Sequence, residues 1–153
     1  MEQCRENKAA IVTGASSGIG AAISARLCEM GYEVFGIGRS FGSSFAEQFP
    51  DAAGNPLFHA VVCDLLDTEK MLKMVREIAA EAEVTLLVNN AGIYANIPAE
   101  EIASETFCDI IDVNVKGTFF MTRHFVDLMI ANHYGKIINL CSAVGLRAAP
   151  GSI

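Results

Sequence analysis

Short apolar runs alternate with segments of helical periodicity along the chain, and this alternation limits its fold more than any other feature. The predicted strands cover residues 8–13, 33–38, 57–63, 84–89 and 136–141. The predicted helices cover residues 18–30, 43–49, 67–83 and 104–132, of which the second is weak. Strands that alternate with helices join through right-handed crossovers into a parallel sheet. We therefore predict an α/β fold with a doubly wound parallel sheet, in one domain over residues 1–153.

Three helix ends carry capping signals. Gly31 follows the first helix, where a left-handed residue would end it. Asp67 and Ser104 precede the third and fourth helices and are suitable N-cap residues. These positions set the predicted helix boundaries.

The composition excludes several classes of protein. A hydrophobic fraction of 52% with 19% charged residues is typical of a packed domain. The net charge of −7 argues against a nucleic-acid partner, which needs clustered Lys and Arg. No apolar run reaches the roughly 18 residues of a membrane span, and the acidic, polar N-terminus is unlike a secretory signal. We expect no membrane partner and a cytoplasmic location.

The cysteines and histidines indicate neither disulfides nor a metal site. The five cysteines include no Cys-x-x-Cys pair, which favours reduced thiols used as small apolar residues. The three histidines lack metal-ligand spacing and are interpreted as core or surface residues.

A glycine-rich turn, Thr-Gly-Ala-Ser-Ser-Gly-Ile-Gly over residues 13–20, joins the first predicted strand to the first helix. Glycines permit a tight turn and close approach of a phosphate, and the helix N-terminus offers free N–H donors. A lone glycine triplet could equally make a turn and nothing more. The position between a strand and a helix favours phosphate binding by Gly14, Ser16, Ser17 and the segment Gly18–Ile19–Gly20.

Further motifs follow in order after this turn. They are Asp64 after the third strand, Asn89-Asn90-Ala91-Gly92 after the fourth, Asn114 in the long helix and Ser142 after the fifth strand. With them the chain resembles the short-chain dehydrogenase/reductase family over almost its whole length. The resemblance implies a Rossmann-type sheet, a nicotinamide dinucleotide cofactor and a homo-oligomeric parent protein. It implies hydride transfer to or from a small carbonyl or alcohol, such as a 3-oxoacyl, steroid or sugar-like substrate.

The end of the second strand bears on the choice of cofactor. An acid that would bind both ribose hydroxyls of NAD is expected near Gly38, and Arg39 comes next. Glycine leaves room for a 2′-phosphate and a guanidinium can bind it, so NADP is favoured over NAD. An exposed loop arginine is the alternative interpretation.

The resemblance also implies contacts with the nucleoside parts. Asp64 and the Leu65 backbone would contact adenine, and the segment Asn90, Ala91 and Gly92 would line the ribose. Asparagines after a strand can also tie loops together through side-chain-to-backbone hydrogen bonds, and both roles can hold for one segment.

Asn114 and Ser142 are the candidate catalytic residues. Asn114 lies on an apolar stripe of the long helix, where a buried amide needs a partner in backbone or water. It is interpreted either as a polar staple or, by resemblance, as the holder of a water in a proton relay. By resemblance Ser142 binds the substrate oxygen, although an ordinary turn serine is the alternative. The neighbouring Cys141 is interpreted as a core residue rather than a nucleophile.

The family's Tyr-x-x-x-Lys motif does not occur in these 153 residues. We therefore expect a catalytically inactive piece of a longer protein, whose gene continues in frame into that motif. The fifth strand should be an exposed sheet edge, and the apolar face around Phe119, Phe120 and Phe125 should lack cover. A stable, non-catalytic dinucleotide-binding or interaction module is the alternative.

Overall fold

A single parallel sheet of five strands forms the centre of the computed structural model, which describes residues 8–42, 49 and 57–147. The strands are β1 (Ala9–Thr13), β2 (Glu33–Gly38), β3 (Phe58–Val62), β4 (Val84–Asn89) and β5 (Lys136–Asn139). Their spatial order is β3-β2-β1-β4-β5, and every neighbouring pair is parallel. The order reverses between β1 and β4, and ligands of doubly wound sheets bind at the carboxyl ends of the strands beside such a reversal. The predicted fold class is confirmed.

Helices cover the two faces of this sheet. They are α1 (Gly18–Glu29), α2 (Thr68–Glu81), α3 (Ser104–Ile111) and α4 (Thr118–Ala131), and a π-helical turn, Asp112–Gly117, joins α3 to α4. Alternate residues of β1 belong to two separate cores: Ile11 packs with residues of α2 and α4, and Val12 packs with residues of α1. This alternation explains why β1, buried at every position, reads as a continuous apolar run.

The predicted boundaries of β2 and β4 match the structure residue for residue, and Gly31 has the expected positive φ of 80°. Asp67 caps α2, since its Oδ1 accepts from the Lys70 backbone N–H at 3.0 Å. The prediction for Ser104 is wrong. Ala103 is the N-cap residue of α3 and makes no side-chain cap, so Ser104 already lies inside the helix. The weak helix predicted over residues 43–49 falls almost wholly outside the described residues.

The long helix predicted over residues 104–132 is interrupted. A π-helical turn holds one residue more than an α-helical turn, so it shifts the phase of the side chains that follow. The apolar stripe nevertheless reaches the core through Ile110, Met121 and Phe125. Phe125 is fully buried, so the expectation that it lacks cover is wrong, whereas Phe119 is 58% exposed.

At the sheet edge, β5 is largely exposed, as predicted. It stops at Asn139, two residues before the predicted end. None of the helices in the described part of the chain combines the length and apolar character needed to cross a membrane.

His133 follows α4 with a φ of 56°, a left-handed conformation that costs an L-residue about 1 kcal/mol or more. We expect His133→Gly to raise the free energy of unfolding by about 0.5–1 kcal/mol, after allowance for the greater entropy of glycine in the unfolded chain. Urea unfolding measures the change. Asn132→Gly is the matched control: Asn132 has a φ of −84°, so glycine there should not stabilise. Equal effects of the two substitutions would contradict this account.

Candidate functional site

A cleft of about 460 Å³ opens at the carboxyl ends of β1 to β4. It is lined by Gly14, Ser16, Ser17, Ile19, Ile37, Gly38, Arg39, Ser40, Cys63, Asp64, Leu65, Leu66, Asn90, Ala91, Gly92, Ile93, Asp109 and Val113. All of the predicted cofactor residues except Gly18 and Gly20 are among them. The structure therefore brings together residues from four separate loops that the sequence analysis had grouped.

The two glycines that do not line the cleft shape the turn beside it. Gly18 has a φ of 54°, which explains why a glycine opens α1. A Cβ on Gly20 would lie 2.2 Å from the Gly14 carbonyl oxygen and 2.5 Å from Asn90 Nδ2. Only a residue without a side chain lets α1 approach β1 this closely.

The first turn of α1 has the chemistry of an anion site. Its N-cap residue, Ser17, makes no side-chain capping hydrogen bond, so the first-turn N–H groups remain available to a ligand. A Cβ on Gly14 would lie 2.9 Å from the Ala91 Cα, and Gly14 has a φ of 66°. The turn therefore needs glycine for both its conformation and its packing.

Thr13 fastens the β1 loop to the β4 loop. Its Oγ1 accepts from the backbone N–H groups of Asn90 at 3.0 Å and of Ala91 at 2.9 Å. Asn90 Nδ2 donates back to the Thr13 carbonyl oxygen at 2.9 Å. The prediction that an asparagine here ties loops together is confirmed. The role of Thr13 was missed, although it opens the glycine-rich motif.

Asn89 makes a second set of ties beneath the cleft. Its Nδ2 donates to Thr122 Oγ1 at 3.0 Å and to Asn139 Oδ1 at 2.8 Å. Asn89 and Asn139 are register partners on β4 and β5. These bonds hold β5 and α4 against β4, the strand that leads into the cleft-lining Asn90–Gly92 loop.

Arg39 is exposed and is the one cationic side chain among the described residues that line the cleft. Ser16 and Ser40 line the same region. A Cβ on Gly38 would lie 3.1 Å from the Phe41 ring and 3.3 Å from Ser16 Cβ. A larger residue at position 38 would therefore press on Phe41 and Ser16.

Asp64, Leu65 and Cys63 lie where β3 ends. Asp64 Oδ1 accepts from the Leu66 backbone N–H at 3.0 Å, which fixes the carboxylate at the cleft. Burial, with Asp67 and Asp64 nearby, raises the pKa of the Cys63 thiol. Cys63 is therefore a neutral wall residue rather than a nucleophile.

Two cleft residues that no sequence motif indicated come from α3 and the π-helical turn. Asp109 and Val113 are four residues apart and line the cleft together. Their four-residue spacing puts them on one helix face, but the sequence does not show which face of the helix meets the cleft.

Asn114 is exposed, so the expectation of a buried amide is wrong. It lies in the π-helical turn, where Gly117 is the buried residue. Its Oδ1 accepts from the Ile93 backbone N–H at 2.9 Å, and its Nδ2 donates to the Ile93 carbonyl oxygen at 2.7 Å. Asn114 is thus a polar staple that holds the loop after β4.

Ser142 lies outside the cleft, beyond the carboxyl end of β5, and is exposed. Its Oγ accepts from the Val144 backbone N–H at 3.3 Å and caps a short turn. Cys141 is also exposed, so its assignment to the core is wrong: no further strand of the described structure packs beside β5. Cys108 is exposed too, whereas Cys28 and Cys63 are buried as expected.

The chain matches the family model described as short chain dehydrogenase over residues 8–153. It is 37% identical over 145 residues to the 3-oxoacyl-(acyl-carrier-protein) reductase FabG of Rickettsia bellii, a match that covers 93% of this chain and 56% of the relative. It is 36% identical to a probable NADP-dependent dehydrogenase of Haemophilus influenzae, covering 94% of this chain and 56% of the relative. The chain therefore spans a little over half the length of these curated relatives.

Two solved structures show the same architecture. A metagenomic short-chain oxidoreductase in complex with NADP superposes with a TM-score of 0.86 at 29% identity, covering 94% of this chain and 66% of that one. A serine dehydrogenase from Escherichia coli superposes with a TM-score of 0.81, also at 29% identity and with the same coverages.

Proposed function

The chain belongs to the short-chain dehydrogenase family, and on that premise we propose that it forms the NADP(H)-binding part of an oxidoreductase. The reaction is hydride transfer between a nicotinamide and the carbon of a carbonyl or secondary alcohol, with 3-oxoacyl, steroid or sugar-like molecules as the substrate class. The observation that carries the proposal is the cleft itself, where the glycine turn, Arg39, Asp64 and the Asn90–Gly92 loop meet.

The pyrophosphate fits the turn before α1. The uncapped N–H groups of the first turn, the positive end of the helix dipole and the hydroxyls of Ser16 and Ser17 are donors for phosphate oxygens. Gly14 lets this turn pack against the Asn90–Ala91 backbone, which holds it in place for the pyrophosphate.

A 2′-phosphate on the adenosine ribose fits beside Arg39. A guanidinium can bind phosphate through two parallel N–H bonds, and Ser16 and Ser40 add hydroxyl donors. Position 38 is glycine, so no acidic side chain stands there to repel this phosphate. The metagenomic relative described above was solved with NADP, which supports the same assignment here.

The nucleosides fit the remaining walls. Asp64 and Leu65 lie at the end of β3, where adenine would stack and donate its amino group. The Asn90–Ala91–Gly92 segment would border the ribose on the nicotinamide side. A bound dinucleotide supplies the hydride, and these residues orient it.

The catalytic side rests on Ser142 and Asn114. Ser142 Oγ accepts one bond from Val144 N–H and keeps its own O–H for a substrate oxygen. Asn114 holds the Ile93 backbone directly after the ribose-lining segment. With its amide oxygen and nitrogen each bonded to Ile93, Asn114 positions this loop, and each atom keeps one further hydrogen-bonding position for a relay water.

We expect NADPH to bind this chain without turnover, because no residue pair here supplies the proton that the Tyr-x-x-x-Lys motif provides in the family. Calorimetric titration measures binding, and NADPH oxidation with a panel of ketones and aldehydes should match an enzyme-free blank. Substrate-dependent oxidation that Ser142→Ala abolishes would contradict the expected inactivity. Failure of NADPH to bind would contradict the proposed function itself.

The second candidate is a non-catalytic dinucleotide-binding module, a function that the cleft alone would support. Fusion of the C-terminal part of the Rickettsia bellii relative that this chain does not cover distinguishes the two. If the chain is the cofactor-binding part of an enzyme, the fusion should turn over, and Ser142→Ala in the fusion should abolish turnover. A folded fusion that binds NADPH but is inactive would favour the module.

A further inference from the structure

One face of the α3 and π-helical segment lies over the adenine end of the proposed cofactor site. Asp109, Val113 and Gly117 follow one another at about one turn each, and the first two line the cleft. Gly117 is buried against Leu65: a Cβ on it would lie 3.1 Å from Leu65 Cβ. On this face Gly117 therefore lies nearest to Leu65, and Val113 and then Asp109 lie successively closer to the mouth of the cleft.

Leu65 and Val113 form apolar walls at this end, suited to the flat faces of a purine base. Asp109 lies one helical turn, about 5 Å, further out than Val113. Asp109 both lines the cleft and is exposed, which places it at the rim, where the edge of a base held between the two walls would emerge. The position follows from the proposed function, on which this inference rests.

The Asp109 carboxylate is exposed, and no described side chain forms an ion pair or hydrogen bond with it. The neighbouring acid on the same helical segment, Asp112, pairs instead with Lys116. Asp64 Oδ1 accepts from Leu66 N–H, so Asp64 has one oxygen left for the adenine amino group, whose second N–H needs another acceptor. Asp109 is therefore a carboxylate at the cleft with both oxygens open to a ligand.

An ionised carboxylate only accepts hydrogen bonds and repels phosphate. Its position is compatible with a polyanionic ligand only if the phosphates lie elsewhere, at the turn before α1 and beside Arg39. The part of a purine nucleotide that suits it is an exocyclic amino group, which donates two N–H bonds. We infer that Asp109 is a specificity-determining residue that selects a dinucleotide whose purine carries a 6-amino group over one that carries a 6-oxo group.

The test compares the affinities of this chain for NADPH and for its hypoxanthine analogue, in which the 6-amino group is replaced by an oxygen. The wild-type chain should prefer NADPH, and Asp109→Asn should reduce the ratio of the two affinities about tenfold, since an amide can donate to the oxygen as well as accept from the amine. The asparagine is isosteric, so the fold should be unaffected, and circular dichroism checks this. Removing one negative charge should tighten binding of both ligands alike, and the ratio cancels that effect.

Glu105→Gln is the matched control. Glu105 is exposed on the same helix, one turn before Asp109, and does not line the cleft. Its substitution removes the same charge and should leave the ratio unchanged. An unchanged ratio in Asp109→Asn, with both dinucleotides bound, would overturn this inference and leave the proposed function standing. Failure of the wild-type chain to bind either dinucleotide would overturn both.

Discussion

Replacement of Gly20 by alanine should destabilise the chain by about 3 kcal/mol and weaken NADPH binding with it. The added methyl would lie 2.2 Å from the Gly14 carbonyl oxygen, and 2.8 Å from the carbonyl carbon behind it. Both atoms are backbone, so no flexible side chain can yield, and α1 must move away from β1. That movement displaces the first turn of α1 from the phosphate position. Urea unfolding and calorimetric titration measure the two effects.

Gly145→Ala provides the control for this experiment. Gly145 lacks a positive φ, and a Cβ on it would meet nothing within 4 Å. The same chemical change there should alter the free energy of unfolding by less than about 0.5 kcal/mol. Similar losses at the two positions would show that the close contact at Gly20 is not the cause.

Arg39→Asp should reverse the cofactor preference. The wild-type chain should bind NADPH more tightly than NADH, because the guanidinium makes a charge-assisted bond to the 2′-phosphate. Loss of that bond should lower NADPH affinity about tenfold to a hundredfold, and the new carboxylate can accept from both ribose hydroxyls of NADH. Titrations of wild type and variant with both dinucleotides give the two ratios.

Arg26→Asp makes the same change of charge away from the cleft. Arg26 is exposed on α1 and pairs with Glu29 at 2.8 Å, an exposed pair of small energetic value. The ratio of NADPH to NADH affinity should be unchanged in this variant, even if the fold is slightly weakened. Equal affinity of the wild-type chain for the two dinucleotides would remove the role assigned to Arg39.

Local signals in the sequence were sufficient to predict the sheet and most of the cleft. Continuous apolar runs defined β2 and β4, and the strand–glycine–helix context of residues 13–20 located the phosphate turn. The residues that follow strands in a parallel sheet must meet at one edge. Asp64 and Asn90 were assigned to the cofactor site from the family resemblance, and the structure has both at that edge.

The sequence-based predictions failed where tertiary packing, rather than the periodicity of apolar residues, determines which side chains are buried. No signal in the sequence indicated the π-helical turn, and Asn114 within it is exposed. Serine is a favourable N-cap residue, yet α3 begins at Ser104 itself, so the N-cap position falls on Ala103. Cys141 would be a core residue only if another element covered β5. The residues next to Cys141 in the sequence do not show whether such an element is present.

The bonds of Thr13 have a consequence for the kinetics of association. Its hydroxyl joins the loops after β1 and β4 within the protein itself, so their mutual arrangement needs no ligand. A dinucleotide thus meets a preorganised surface, and little conformational entropy is lost from these loops on association. Encounter with the ligand should then be governed by diffusion and by the long-range repulsion between a polyanion and a chain of net charge −7, which makes the association rate rise with salt.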